Sequence, residues 1–380
     1  MAVIELSEGS EVAVGQVLEE GLVVSDDTIS HIPTVDLGAP IGSRFVDTGS
    51  ASDPTMASMR YALTGATGFV GGELARQLID AGHEVAALVR SPARAIQLDA
   101  IGVDLVEGDL DDSDALDRLL AGADGLFHVA GWYKVGQRDP SPGQRVNVEG
   151  TRNVLAAAQR AGTPRIVYTS TLAVNSDTRG RILDESHQHH GGHISAYDRT
   201  KAEAHVVAKE FAAAGLPVVI VMPGAIYGPG DTSQTGELIR QVVAGKRPAA
   251  PAGGGRLTWA HVSDIARGHI LAMERGVPGE SYMLAGEPAT LEKLLNQVAA
   301  VAGTKGPVLV PAGLLRATER IMTPVARVVP LPPMFHPESL RAALGDYLGT
   351  RAKAERDLGW DPRPLSEGLA QTVAALREKG

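Results

Sequence analysis

The chain has 380 residues, a formal net charge of -10, 44% hydrophobic residues and no cysteine. That apolar fraction can fill a core and excludes a compositionally disordered chain. The acidic balance argues against a general nucleic-acid or anionic-membrane binder, because both need clustered positive charge. The lack of cysteine excludes disulfides, thiolate catalysis and cysteine metal sites, and fits a reducing cytoplasm.

This length fits one large domain or two closely linked ones. Residues 1–58 hold ten acidic residues and a single basic one, Arg44. Short alternating runs there, such as Glu11 to Val14, read as candidate strands. Asp47 to Met59 is small and polar, as a linker would be. The expectation is an extension, disordered or a small β appendage. The opening MAVIELSEGSEVAV has no basic run and no apolar core of signal-peptide length. No segment approaches the ~18 uninterrupted apolar residues of a membrane helix. A soluble, cytoplasmic protein is therefore expected.

From Arg60 the pattern changes. The apolar run Tyr61 to Thr64 leads into a glycine-rich turn, then a helical pattern from Gly71 to Ala81 closed by Gly82, then a second run from Val85 to Val89. This β-turn-α-β order starts a parallel sheet wound with helices. Further strands are expected over Val103 to Glu107, Gly125 to Ala130, Arg165 to Ser170 and Val218 to Met222, and helices over Asn147 to Ala161 and Tyr197 to Ala214. The predicted fold is an α/β, doubly wound parallel sheet over residues 59–225. Residues 226–380 are expected to form a smaller, mostly helical substrate region, with some segments returning to the sheet domain.

Thr64-Gly65-Ala66-Thr67-Gly68-Phe69-Val70-Gly71 falls directly between the first strand and its helix. Gly65 permits the tight turn, Gly68 lets backbone N–H groups approach a pyrophosphate, and Gly71 lets the helix pack closely on the sheet. The helix N-terminus then presents its positive dipole end to phosphates. A plain glycine turn packing helix on strand is the alternative. The second strand ends Leu88-Val89-Arg90-Ser91-Pro92, with no acid at its tip. An acid there would hold a ribose 2′-hydroxyl and a base would accept a 2′-phosphate, so NADP(H) is expected over NAD(H). The other reading of Arg90 is a solvated loop arginine.

Tyr197-Asp198-Arg199-Thr200-Lys201 follows the fifth sheet strand. Positions i and i+4 share a helix face, so Tyr197 and Lys201 can both meet the cleft. A free tyrosine, with a pKa of ~10, is a poor base at neutral pH, and a nearby ammonium lowers that value. The strand before it ends Tyr168-Thr169-Ser170-Thr171, where a hydroxyl just past a parallel strand projects into the ligand crevice. Such a hydroxyl holds the substrate oxygen while Tyr197 moves the proton.

With TGATGFVG, HVAG, NVEGT, VYTSTLAV, YDRTK, MPGAIYGPGD and HVSDIARGH in this order, the chain resembles the extended short-chain dehydrogenases/reductases from about Arg60 to the closing GWDPRPLSEGLAQTV. It looks closest to the dihydroflavonol reductase-like and hopanoid-associated sugar epimerase-like members. The resemblance implies a reversible reduction of ketone or aldehyde to alcohol, with Tyr197, Lys201 and Thr171 as catalytic triad and Lys201 also holding the cofactor ribose. It implies cofactor contacts from Asp109 and Leu110 at the adenine, and from Ala130 and Gly131 along the middle. Thr169 and Ser170 join this cofactor set, Pro223 and Gly224 flank the nicotinamide amide, and Asn147 lies on the helix behind the site. A homodimer is common in this family. Two departures bear on the reaction: Leu172-Ala173 stand where sugar-nucleotide dehydratases carry Asp-Glu, and Met222 stands where many epimerases carry arginine. Both favour simple redox chemistry on a small, relatively apolar carbonyl or alcohol substrate. The rivals are a sugar-nucleotide epimerase and a cofactor-sensing regulatory protein without turnover.

Three weaker features complete the reading. Trp132, Tyr133 and Val135 follow the fourth strand and wall the substrate pocket, or simply pack their loop. His187, His189, His190 and His193 lie on a glycine loop before Tyr197 and read as a solvated lip rather than a metal cluster. Val308 to Phe335 is apolar and proline-broken, and reads as core or lid rather than membrane contact.

Overall fold

The computed structural model describes residues 58–378 except 138, 327, 333 and 334. The extension expected over residues 1–58 thus lies outside the described residues, apart from Ser58, whose hydroxyl donates to Gly82 O at 2.9 Å. The strands in chain order are β1 (Arg60–Thr64), β2 (Glu84–Val89), β3 (Asp104–Glu107), β4 (Gly125–His128), β5 (Ile166–Thr169) and β6 (Val218–Pro223). They continue as β7 (Ala225–Tyr227), β8 (Ala249–Ala252), β9 (Arg256–His261), β10 (Ser281–Leu284), β11 (Glu287–Thr290) and β12 (Val308–Pro311).

Seven of these make one parallel sheet in the order β10-β6-β5-β4-β1-β2-β3. The order reverses between β1 and β4, which opens a crevice at their carboxyl ends. β6 reads VVIVMP and is buried throughout, as a parallel strand covered on both faces must be. Alternate residues feed opposite layers. Leu63, Val167 and Val219 face helices Phe69–Asp80 and Val262–Arg275. Ala62, Tyr168 and Ile220 face helices Ser113–Leu120, Gly150–Ala161 and Ala196–Ala213.

Six of the seven strands of the main sheet, and helices Phe69–Asp80 and Ala196–Ala213, agree with the sequence expectation to within about two residues, the usual uncertainty of element ends. One helix differs in kind. The stretch expected as helix from Asn147 is entered through a π-helical segment, Gln144–Glu149. After residue 225 helix dominates, as expected, but six short strands that sequence did not mark lie among the helices. They are three to six residues long and lack an extended alternating run, so periodicity alone passes over them. β10 joins the main sheet beside β6, while β11-β9-β7 form a second sheet around a separate core of Tyr227, Trp259, Leu294 and Leu369.

Candidate active site

The glycine loop shows why only glycine fits. Gly65 has φ +81°, and a Cβ there would lie 2.6 Å from Ala130 N. A Cβ on Gly71 would lie 2.2 Å from Gly65 O, so the helix packs directly on the turn. Gly68 is the N-cap of helix Phe69–Asp80 and provides no capping side chain. The first-turn N–H groups are therefore left for a ligand, which is the arrangement a pyrophosphate needs. Thr67 and Gly68 are exposed, and Phe69 and Val70 are half-buried. Arg90 stands exposed just past β2. Asp109 is exposed past β3, its carboxylate accepting from Leu110 N at 2.8 Å, while Leu110 is buried.

Tyr197 and Lys201 lie on helix Ala196–Ala213, whose N-cap Ser195 accepts from Asp198 N. Lys201 is only 5% exposed, and its Nζ donates to Thr169 O at 2.7 Å and to Tyr168 Oη at 3.4 Å. Gly131 stands beside it, since a Cβ added there would lie 3.9 Å from that Nζ. The structure therefore joins the ends of β4 and β5 and the Tyr-Lys helix in one place. Burial drives the Lys201 pKa down to about 7. Burial also pushes Tyr197 well above its ordinary value, with the neighbouring Thr171 hydroxyl pulling the other way. The lowering expected from the ammonium is not found: loss of water from the phenol dominates, and the neighbouring Asp198 carboxylate adds to it. Thr171 caps the turn Leu172–Asn175, accepting from Ala173 N at 3.2 Å and donating to Pro223 O at 3.4 Å. Gly224, which follows, packs against Thr258.

Three histidines, His128 and His269 buried and His205 half-buried, hold this frame, and sequence reasoning gave them no role. His269 Nδ1 lies 2.7 Å from Ile265 O and must donate to it, so its Nε2 accepts from the Thr169 hydroxyl at 2.9 Å. Ser170 Oγ lies 2.8 Å from His205 Nδ1. His128 bridges Thr64 Oγ1 at 2.7 Å and Thr151 Oγ1 at 3.1 Å. Burial is the main cause that holds the pKa of His269 and His205 at about 4 and that of His128 at about 3. All three are neutral near pH 7, which leaves Lys201 as the group of this cluster that titrates there. The hydroxyls of Thr169 and Ser170, expected at the cofactor, are engaged by these histidines, and Thr169 offers its carbonyl to Lys201. The only sequence hint was that His128 and His269 fall inside HVAG and HVSDIARGH.

Asn147 is wholly buried in the π-helical segment. Its Oδ1 accepts from Trp132 N at 2.7 Å, and its Nδ2 donates to Trp132 O and Thr200 Oγ1, both at 2.9 Å. Both amide protons are engaged, so Asn147 ties the Trp132 loop to the Tyr-Lys helix. Trp132 is half-buried and Tyr133 is 56% exposed. Asp198 is buried between Ser176 and Tyr347, whose hydroxyls donate to its Oδ2 at 2.7 and 3.3 Å. Burial raises its pKa to about 6. Among the described residues no group of three or more His, Asp or Glu side chains is arranged to hold a metal ion. His189 and His193 instead stack with ring centroids 4.8 Å apart. No helix among the described residues is long and apolar enough to cross a membrane.

Residues 61–285 match the model of the NAD dependent epimerase/dehydratase family. A putative dihydroflavonol 4-reductase from Synechocystis sp. is 34% identical over 333 residues, covering 84% of this chain and 95% of the relative. The 4-hydroxy-2-methyl-3-oxo-4-farnesyl-3,4-dihydroquinoline-1-oxide ketoreductase of Stigmatella aurantiaca is 35% identical over 332 residues, covering 85% and 97%. Among solved structures, a double mutant of a dTDP-glucose 4,6-dehydratase from Streptomyces venezuelae with NAD bound superposes with a TM-score of 0.70. It is 26% identical and covers 84% of this chain and 97% of that one.

Proposed function

The chain belongs to the NAD dependent epimerase/dehydratase family and is an NAD(P)-dependent oxidoreductase of carbonyl and alcohol groups; from that premise we propose that Tyr197, Lys201 and Thr171 carry the proton side of a ketone or aldehyde reduction. The observation that carries this is the placement of Lys201, buried, 2.7 Å from Thr169 O and on the helix face of Tyr197. A non-catalytic sensor has no need of a lysine kept dry at that cost.

The bound nicotinamide supplies or accepts the hydride. Tyr197 gives the proton to the carbonyl oxygen, and its raised pKa keeps it protonated and ready as an acid in the reductive direction. Thr171 holds the same oxygen, since its hydroxyl sits beside that of Tyr197. Lys201 is fixed by Thr169 and offers its remaining N–H donors to the cofactor ribose. Asp109 and Leu110 flank the adenine, and Ala130, Gly131, Pro223 and Gly224 line the rest of the cofactor path.

We further propose NADP(H) over NAD(H), with Arg90 at the 2′-phosphate. Its support is an exposed arginine at the end of β2, where no acid stands. The body of the substrate is relatively apolar. Leu172 and Ala173 leave no acid and base after Thr171 for dehydration, and Met222 is buried where an epimerase would carry an arginine. Trp132 and Tyr133 wall this side. The test is oxidation of NADPH and NADH, followed at the nicotinamide absorbance, with apolar ketones, aldehydes and flavanonols. Consumption is the expected result. Tight cofactor retention with no consumption, together with inversion of a sugar nucleotide, would replace this reading by an epimerase.

A further inference from the structure

Before the Tyr-Lys helix lies a cavity of about 750 Å³, well inside the size range of small-molecule sites. Its wall carries Arg179, Arg181 and Arg341. The histidine loop adds His187, His189, His190 and His193, and Asp177 is the single carboxylate in the lining. One oxygen of that carboxylate, Oδ1, is tied to backbone, accepting from Arg179 N at 2.7 Å and Asp346 N at 3.1 Å. Arg341 pairs with Glu319 at 3.2 Å. Among the described residues, no ion pair engages Arg179 or Arg181.

Two further observations point to a missing ligand. His189 Nε2 and His193 Nδ1 are withdrawn from solvent and have no hydrogen-bond partner in the protein. Buried polar atoms of that kind are rare, and each costs about 1–3 kcal/mol unless something meets it. Arg179 adopts a left-handed backbone, φ +49°, which a non-glycine residue takes only where the surroundings enforce it. Here Asp177 Oδ1 holds its N–H, and Thr178 O accepts from Arg181 N at 3.1 Å, so two cationic side chains are presented from one tight turn. Burial lowers His187 below its ordinary pKa, and repulsion from Arg181, His189 and His190 lowers it further, against a smaller opposite pull from Asp184. An anion in the cavity relieves that repulsion.

We propose that this cavity binds an anionic group, a carboxylate or a phosphate ester, at the end of the substrate whose carbonyl meets Tyr197. Ile194 belongs to the cavity wall and precedes Tyr197 by three residues, a chain distance of at most about 11 Å. A substrate of modest length spans both. Its favoured shape is an apolar keto body with a charged head, which reconciles the buried Met222 and Leu172 with the arginines next door. The arginine fork suits such oxygens, giving paired, charge-assisted hydrogen bonds. This inference rests on the reductase reading for its carbonyl end and on the cavity alone for its anionic end.

The experiment has a kinetic arm and a binding arm. The kinetic arm compares 7-oxooctanoate, whose ketone and carboxylate lie at opposite ends of an apolar chain, with its methyl ester as oxidants of NADPH or NADH. Wild-type protein is expected to prefer the acid at least tenfold in kcat/KM. Arg179→Asn/Arg181→Gln, in which asparagine tolerates the left-handed turn, is expected to cut that preference below threefold. Arg181→Gln alone serves if the double variant does not fold. Equal use of acid and ester by the wild type, or a preference that survives both variants, overturns the proposal. The binding arm titrates hexanoate and inorganic phosphate calorimetrically into wild type and variant. Binding of hexanoate alone assigns a carboxylate head, and binding of phosphate alone a phosphate ester. Binding that the variants lose, with no nicotinamide consumed by either ketone, sustains the anionic cavity and overturns its link to the carbonyl site. No heat from either anion, with no turnover, sinks the proposal.

Discussion

Replacing Lys201 by methionine removes the charge while keeping a chain of similar length in the same slot. An ordinary lysine titrates near 10.5, and burial brings Lys201 to about 7. That difference corresponds to about 5 kcal/mol at about 1.4 kcal/mol per decade. The sign follows from proton counting. Between these two values the unfolded chain binds the proton and the folded chain does not, so stability rises with pH across pH 7 to 10.5. Below pH 7 the full cost of the buried ammonium stands. Lys201→Met abolishes that cost and leaves Thr169 O without its 2.7 Å donor, a loss of about 1–3 kcal/mol. The variant is therefore expected to be more stable than wild type by about 2–4 kcal/mol at pH 7 and to lose most of that advantage by pH 10, while turnover disappears. Urea denaturation at both pH values reads the result directly. A variant less stable than wild type at pH 7, or one whose advantage does not change with pH, refutes the reasoning that the site keeps this lysine at a cost in stability.

Other expectations follow the same logic. Tyr197→Phe should lower kcat by about 100- to 10,000-fold with cofactor affinity nearly unchanged, as measured by steady-state kinetics and fluorescence titration; retained turnover would move the acid elsewhere. Arg90→Asp should shift the kcat/KM ratio from NADPH toward NADH, and an unchanged ratio would place the 2′-phosphate contact on another residue. Gly65→Ala forces a methyl to within 2.6 Å of Ala130 N at a left-handed φ. It should destabilise the fold by about 1–3 kcal/mol and abolish cofactor binding, and wild-type melting and affinity would contradict the packing described. Asp198, with a folded pKa of about 6 against an ordinary 3.8, binds its proton more tightly when folded. Its contribution to stability is therefore complete below pH 3.8 and lost as pH rises through 6. Asp198→Asn should remove about 2 kcal/mol of that dependence between pH 4 and pH 7, and an unaltered difference in denaturation would mean the carboxyl is not kept dry.

The parts of this site that sequence made legible are those set by local spacing. Gly65, Gly68 and Gly71 lie within one turn and the start of one helix, and Tyr197 and Lys201 are four residues apart on another, so residue type and separation fix their geometry. The supporting shell is not local. His269 reaches Thr169 across 100 residues and His205 reaches Ser170 across 35, and no periodic pattern marks a histidine that will point inward. Asp198 lay inside the YDRTK motif as an unremarked position because its partners, Ser176 and Tyr347, come from a preceding turn and a distant C-terminal segment. β10 escaped notice for a related reason. SYML is no shorter than β4 or β5, but it lies beyond the stretch where motifs and strand-helix alternation mark the sheet, and only pairing with β6 gives it meaning.

That pairing has a bearing on how the chain is made. β6 emerges during synthesis about sixty residues before the strand that will cover its outer side. Until then its apolar VVIVMP run presents an open row of backbone donors and acceptors to anything nearby. The nascent protein therefore passes through a stage in which nearly all of its dinucleotide fold is already synthesised while one flank is adhesive. Shortening the chain upstream of Ser281 would make that transient stage permanent, so such fragments should accumulate as aggregates rather than as a smaller working enzyme.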